Sequence, residues 1–531
     1  MLKSYFKVAW RNLLKNGIYS FINIGGLAVG MAVAILIGLW VNDEVTYNQY
    51  HTNYDRIAQV MQHQTYNEEI GTQEANPAQM AEEIRNVFGS DFTYVLQASW
   101  NYSHTVTYGD KMFFQNGSYF EPEVADMLTL KMLHGTRQGL QEMNSIMICE
   151  SVAKTYFGQD DPIGKVLRLD NATDVKVTGV YEDIPHNSSF REMKIIMPWS
   201  LYLSLNQWIR EMDEPWGSNY TRTFAMISER SDMNAVSRKI KDVKLNKVPA
   251  DERKFKPVVF LHPMAKWHLY SEFKQGVNTG GRISNVWLFG TIGGFVLLLA
   301  CINFMNLSTA RSEKRAKEVG IRKAVGSVRK QLIMQFFTES ILIATLAFIV
   351  SILLVVVALP AFNTVADKDI DLPWNVPALW LLGAGFTLIT GIISGCYPAL
   401  FLSSFQPVKT LKGTFRLGPY ASMPRKVLVV LQFTISTTLI IGTIVVYKQI
   451  QHAQARPIGY TKDGLVSIGV RREVHKHFDA VRAELINAGA IVEMAESGSP
   501  TTSVWNTNGG FDWEGKDPNQ AVDFPNNAVS Y

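Results

Sequence analysis

A few strings in the 531-residue chain carry residues whose types and spacing could do chemistry. Gly158–Val166, GQDDPIGKV, has the glycines and lysine of a loop that cradles phosphates with backbone N–H groups and reaches them with its lysine. It carries one residue too many between the glycines, and Val166 stands where Ser or Thr would hold magnesium, so nucleotide binding there is disfavoured. No GxxxxGK[ST] occurs elsewhere. His475-x-His477 is the closest histidine pair, does not match metal-ligand spacing, and reads as a solvated polar stretch. Cys149, Cys301 and Cys396 are too scattered for a disulfide framework or a cysteine-based zinc site and read as buried small hydrophobes. No pair of carboxylates stands out, so no catalytic or metal residue is assigned and the chain is not read as an enzyme. The most specific segment is Arg311–Ser340, RSEKRAKEVGIRKAVGSVRKQLIMQFFTES. Its bases could meet lipid headgroups or an acidic groove, and Val319, Ile321, Ala324 and Val325 could form an apolar stripe against a membrane or a partner. The pattern breaks at Gly320 and again at Gly326.

That segment lies between two membrane spans. Only 18% of the residues are charged, against about 25% in ordinary soluble chains, and the deficit is concentrated. Five stretches, Ile18–Val41, Asn285–Ala310, Ile333–Pro360, Val376–Ser403 and Val427–Tyr447, hold a single charge between them, Glu339. Each is long enough to cross the hydrocarbon layer as a helix, which excludes a purely soluble enzyme. The first span is preceded by Lys3, Lys7, Arg11 and Lys15; its apolar run is too long for a signal peptide, and it reads as an uncleaved anchor. The bases of Arg311–Lys330 and of Lys409–Lys426 mark cytoplasmic loops, whereas Asp367, Asp369 and Asp371 lie between spans three and four. The N-terminus is therefore expected inside, with 42–284 and 448–531 outside. A net charge of +4 is too small for a nucleic-acid footprint.

Along the first span Gly26, Gly30, Ala34 and Gly38 recur every four residues, the spacing of a close helix–helix seam. Asn303, Asn306, Glu339 and Gln432 are the notable polar groups within the spans; Glu339 lies near enough to the basic loop to snorkel or pair with it. No span holds a chain of acids or histidines for proton coupling, which disfavours a secondary transporter. In the large outer region Val175–Tyr181, Thr223–Ile227 and Val258–Leu261 read as strands, and Pro77–Phe88 as a helix opened by Asn76. Short strands with isolated helices indicate an α+β domain. Sequons at Asn187 and Asn219 are weak marks of glycosylation.

Taken together these segments resemble the MacB/FtsX-like permease family of ABC transporters, in its long Bacteroidetes-type two-unit form. EVGIRKAVGS resembles the family's short helix that docks on the ATPase. RNLLKNGIYSFINIGGLAVGMA with NDEVTYNQYHTNYDRI is similar to its start, and YFEPEVADMLTLKMLHG, SVAKTYFGQDDPIGKVLRL and VTGVYEDIPHNSSF resemble its periplasmic core. The resemblance implies a membrane protein with an α-helical bundle and a MacB periplasmic-core-like α+β extracytoplasmic domain. The expected layout is 1–41 (tail and first span), 42–284 (outer domain), 285–403 (three FtsX-like spans with coupling loop 311–332), 404–426 (linker), 427–447 (fifth span) and 448–531 (the start of a second outer domain). The chain stops at Tyr531 short of the rest of that domain, so the resemblance implies a fragment, or a shortened protein whose second half is missing or supplied by another chain.

The same resemblance implies a permease subunit in the bacterial inner membrane, with its large domain periplasmic. A separate ABC ATPase would bind ATP and magnesium, so this chain needs no cofactor of its own. A dimer of permease units or a second permease half, a periplasmic adaptor and an outer-membrane channel are the other partners implied. ATPase closure would pull the coupling loop and move the outer domain, extruding a substrate for which antimicrobial peptides, macrolides and lipoproteins are precedents. The docking role falls on Glu318, Gly320, Arg322, Lys323 and Gly326, flanked by Arg311 and Arg315, with the two glycines permitting bends and the bases supplying charge to the contact. The alternative is an FtsX-like signalling subunit that activates extracytoplasmic hydrolases and transports nothing. A membrane-anchored receptor would need a cytoplasmic module larger than these loops.

Overall fold

The computed structural model describes residues 2–404 and 423–530, apart from 251, 311–318, 458, 462, 471, 501, 509–510 and 518–523. The chain forms two compact units, Met1–Val45 with Ile283–Pro457, and Thr46–Arg282 with Ile458–Tyr531.

The first unit is helical. Its five long apolar helices are Gly17–Val45, Ile283–Ala310, Arg329–Ala366, Pro377–Ser403 and Met423–Ala455, and all are long and apolar enough to cross a membrane. Leu27, Ala28 and Met31 of the first span pack with Cys301, Ile302 and Met305 of the second and Ala344 and Ala347 of the third. Val357, Leu381 and Ile389 are among many exposed apolar side chains on the outer faces; such broad apolar surface belongs in lipid. The third helix continues through Pro360 to Ala366, past the proline expected to end it. A proline costs a helix one hydrogen bond, but in a bilayer neighbouring groups re-satisfy the freed carbonyl. Asp367, with φ 49° and ψ 55°, then closes the helix in the left-handed region. Asn306 Nδ2 donates to Gln432 Oε1 at 3.2 Å, tying the second and fifth spans. Cys149 and Cys301 are buried, whereas Cys396 is exposed on the fourth span.

The basic N-terminal tail is itself a helix, Leu2–Lys15. Leu13 packs against Phe304 and Ile343, while Phe6, Trp10 and Leu14 form an exposed stripe at i, i+4 spacing. A basic helix with an open aromatic face is built to lie in a headgroup layer.

The second unit holds a mixed sheet. Its strands are β1 (Ile57–Tyr66), β2 (Glu69–Gln73), β3 (Phe92–Ala98), β4 (Tyr102–Tyr108), β5 (Lys111–Phe120), β6 (Met132–Gly135), β7 (Ser145–Cys149), β8 (Val166–Leu169), β9 (Thr173–Tyr181), β10 (Ile195–Pro198), β11 (Arg222–Ile227) and β12 (Val258–Pro263). Ten of them run in the order β10-β7-β9-β8-β4-β5-β3-β11-β1-β12, with β2 paired to β1 and β6 to β9. Because β10 pairs with both β7 and β5, that half closes on itself as a ring. Phe120, Tyr156 and Tyr181 lie in its core. The Tyr156 hydroxyl donates to Val106 O and that of Tyr181 to Met193 O, each at 2.8 Å, so neither buried phenol is left unpaired. The open half is covered on one face by helices Met80–Phe88 and Met233–Lys239.

The strands expected at Val175–Tyr181, Thr223–Ile227 and Val258–Leu261 lie in β9, β11 and β12. The helix expected from Pro77 starts later, at Met80. Asn76 does not cap it: the residue bridges to Thr221, and its amide donates to Val60 O at 2.7 Å. Asn219, the second sequon asparagine, is likewise engaged internally. Its Oδ1 accepts from Lys244 Nζ at 2.6 Å and from Gln62 Nε2 at 2.8 Å.

Lys244 is fully buried among these amides, and burial pulls its pKa down to about 8, against a raising influence of Glu252. Unfolded, it titrates near 10.4, so between about 8 and 10.4 the unfolded chain binds more protons and stability rises with pH. Across that window the stability of the wild type relative to Lys244→Met is expected to grow by about 3 kcal/mol. Urea unfolding of the detergent-solubilised chain, followed by tryptophan emission at several pH values, checks this; a difference that stays flat with pH contradicts it.

Candidate functional site

In the loop between the second and third spans, the described residues from Val319 onward pack on the bundle. Residues 319–324 are helical, with Val319 buried against Leu332 and Phe336 of the third span and Ala399 and Leu402 of the fourth. Arg322 donates to Gln335 Oε1. Arg322, Gln335, Glu339 and Asn12 surround one small void, so Glu339 is buried beside the loop rather than facing lipid. Lys323 Nζ donates to the Ser403 carbonyl at 2.7 Å, and Arg329 Nε to Ser403 Oγ at 3.4 Å. Ser403 ends the fourth span, so the two cations meet the negative end of that helix dipole. Burial, and then Arg329, hold the Lys323 pKa below its ordinary value.

Among the described residues of the loop, Arg322 and Lys323 turn toward the spans, while Ile321 is 55%, Val325 84% and Val328 58% exposed. Gly326 makes the turn, at φ +104°, where an L side chain would be strained. Gly320 is helical and buried within 319–324. Arg311, Arg315 and Glu318 lie outside the described residues.

Along the first span the small residues have unequal surroundings. A Cβ at Gly30 would run into that of Ala300 on the second span, and one at Gly26 would lie 3.4 Å from Asn303 Nδ2, whereas Gly38 has open space. Ala34 is half-buried. Close packing is thus confined to the Gly26–Gly30 end. Gly30→Leu is expected to force the two helices apart at a cost of about 1–3 kcal/mol, while Gly38→Leu stays near wild type; thermal unfolding in detergent of both variants measures the contrast.

One strong feature escaped sequence reasoning. The first span runs past Val41 to Val45, carrying Asp43 and Glu44 at its end. Lys368, just beyond the third span, reaches Asp43 Oδ2 and Glu44 Oε1 at 2.6 Å each. The contact to Asp43 is an ion pair by distance, outside hydrogen-bond angles. The side chains of Lys368 and Glu44 are only 8% and 3% exposed.

In the other unit, GQDDPIGKV joins helix Glu150–Phe157 to β8, the reverse of the strand–loop–helix order a phosphate loop needs. His475 Nδ1 lies 2.8 Å from Glu496, exposed. Among the described residues no cluster of His, Cys, Asp or Glu could hold a metal ion.

A bundle of apolar helices with a short packed loop, joined to a large α+β unit, defines a membrane protein with an extracytoplasmic domain. Two family descriptions match: a MacB-like periplasmic core domain over residues 20–243 and an FtsX-like permease C-terminal domain over 290–407. The chain belongs to the MacB/FtsX-like ABC transporter permease family. It is 24% identical over 301 residues to the macrolide export ATP-binding/permease protein MacB of Bdellovibrio bacteriovorus, a match covering 56% of this chain and 41% of that protein. The chain thus matches about two-fifths of that relative's length. It is 23% identical over 430 residues to the uncharacterized ABC transporter permease YvrN of Bacillus subtilis, covering 77% of this chain and 99% of that one. The crystal structure of the periplasmic region of MacB from Actinobacillus actinomycetemcomitans matches with a TM-score of 0.28 and 18% identity, over 40% of this chain and 90% of that one.

Proposed function

We propose that this chain is the membrane subunit of an ATP-driven extrusion machine in the bacterial inner membrane, with its N-terminus cytoplasmic and its large unit periplasmic. A separate ABC ATPase docks on the loop that follows the second span and supplies the hydrolysis. The observation that carries the reading is the loop's construction: Lys323, Arg329 and Arg322 fasten it to the third and fourth spans, while Ile321, Val325 and Val328 point outward. Movement imposed on that apolar tip would pass into the spans rather than into a slack linker. The exported substrate falls in the peptide, macrolide or lipoprotein class. A second permease unit, a periplasmic adaptor and an outer-membrane channel complete the assembly. Tail helix Leu2–Lys15 lies in the inner headgroup layer.

Affinity purification of the tagged chain from its native membrane in mild detergent, with mass spectrometry of the partners, tests this. An ABC ATPase in near-stoichiometric yield is the expected result. Folded, inserted chain without any ATPase contradicts it. Substrate uptake into vesicles holding the reconstituted pair then separates export from signalling without transport.

A further inference from the structure

Within the outer unit a cavity of about 230 Å³ lies on the β11-β1-β12 face, beneath the segments around Phe190 and Trp267. Phe190, Phe224 and Trp267 form its apolar wall, with ring centroids 5.6 to 6.0 Å apart. Arg222 also lines it. Its guanidinium lies over the rings of Trp100 and Phe224, at 5.1 and 5.4 Å. Among the described residues its hydrogen bonding is a 3.4 Å contact from a terminal nitrogen to Ser99 O, and its buried Nε has no partner. No carboxylate among the described residues lies within ion-pair distance of it. Burial acts against its charge, with Glu74 only partly offsetting this. His262, 6% exposed, lines the same cavity with Nε2 unpartnered, and burial, then Lys266, push its pKa down to about 4, so it is neutral at physiological pH. A half-buried guanidinium whose buried Nε has no partner, beside a buried imidazole short of one, is a costly arrangement for a merely structural wall.

We infer that this cavity is a binding site for a small carboxylate with an apolar body: the aromatic wall takes the body and Arg222 the carboxylate. The volume limits the guest. Ligands of drug size fill roughly 300 Å³ or more, so a body of one ring or a short branched chain is what fits. Glu74, which also lines the cavity and is held by Gln59 Nε2 at 2.8 Å, sets the charge. It disfavours phosphates and other polyanions and leaves a monoanion as the complement of Arg222. Planar guanidinium and planar carboxylate match in a two-point contact. The site is independent of the ATPase reading and requires no partner chain.

The test uses the full chain in detergent and two probes of one shape, 3-phenylpropionate and its neutral amide. Binding is followed by saturation-transfer NMR and by emission of Trp267 and Trp100, at probe concentrations of about 1 mM and above, where ligands this small bind. The acid is expected to bind saturably and at least tenfold tighter than the amide, and Arg222→Gln to erase that preference while near-ultraviolet circular dichroism stays unchanged. Equal affinity of acid and amide on the wild-type chain, or no saturable binding of either, overturns the inference even should the variant misfold. A folded Arg222→Gln chain that keeps the preference overturns it too.

Discussion

Lys368→Met is expected to destabilise the membrane unit by about 3–5 kcal/mol, the cost of leaving buried charge without its partner. In the wild type one ammonium lies 2.6 Å from each of two carboxylates. Without it, Asp43 and Glu44 crowd like charges together at the C-terminal end of a helix, where the dipole already disfavours them. The effect is one of imbalance, so the triple variant Asp43→Asn, Glu44→Gln, Lys368→Met recovers most of the loss, since replacing a whole buried ion group is often near neutral. Thermal unfolding in detergent compares the three proteins; a triple variant as unstable as the single one contradicts the assignment. Burial opposes the charge on Lys368, but Asp43 and Glu44 outweigh it and raise its pKa. A raised lysine contributes fully below its unfolded pKa of about 10.4 and loses the contribution as pH climbs through its folded value. The lysine's contribution is therefore insensitive to pH around neutrality and is lost in strong alkali.

The second large effect falls on the loop. Val325→Asp, with or without Ile321→Asp, is expected to abolish stable association with the ATPase while leaving the chain folded, because 84% and 55% of these side chains are open to solvent. Charge placed in an apolar contact costs several kcal/mol in the complex and almost nothing in the free protein. Reversal of Lys323 acts differently. It breaks the bond to Ser403 and repels the end of the fourth span, so it loosens the loop and lowers thermal stability together with activity. Co-purification yield and unfolding temperature, measured on the same preparations, separate these outcomes. A Val325→Asp chain that still retains the ATPase sinks the apolar-tip assignment.

What the residues disclosed about themselves depended on the range of the forces involved. Membrane spans are legible because hydrocarbon demands an unbroken apolar run, and the five runs stand clear of the rest. Their ends were less legible. The first runs on to Val45 because Lys368 is there to meet its acids, and the third passes through Pro360 because lipid and neighbours tolerate it. Strands such as Thr173–Tyr181 show in their β-branched alternation, but nothing local announces that β10 pairs with both β5 and β7. In the loop, Gly326 and the apolar residues were evident as types. That Lys323 and Arg322 turn inward while Val325 stays exposed follows from the Ser403 and Gln335 partners some 80 and 13 positions away. Asn76 looked like a helix cap and is instead spent on the carbonyl of Val60.

The most direct measurement is photo-cross-linking from position 325 in the native membrane. A benzophenone amino acid replacing Val325 is predicted to capture an ABC ATPase in one dominant adduct, whereas the same group at Gly38 on the first span captures none. A chain that is inserted and folded, yet yields no ATPase adduct from position 325, would contradict the claim that this loop is where the motor takes hold.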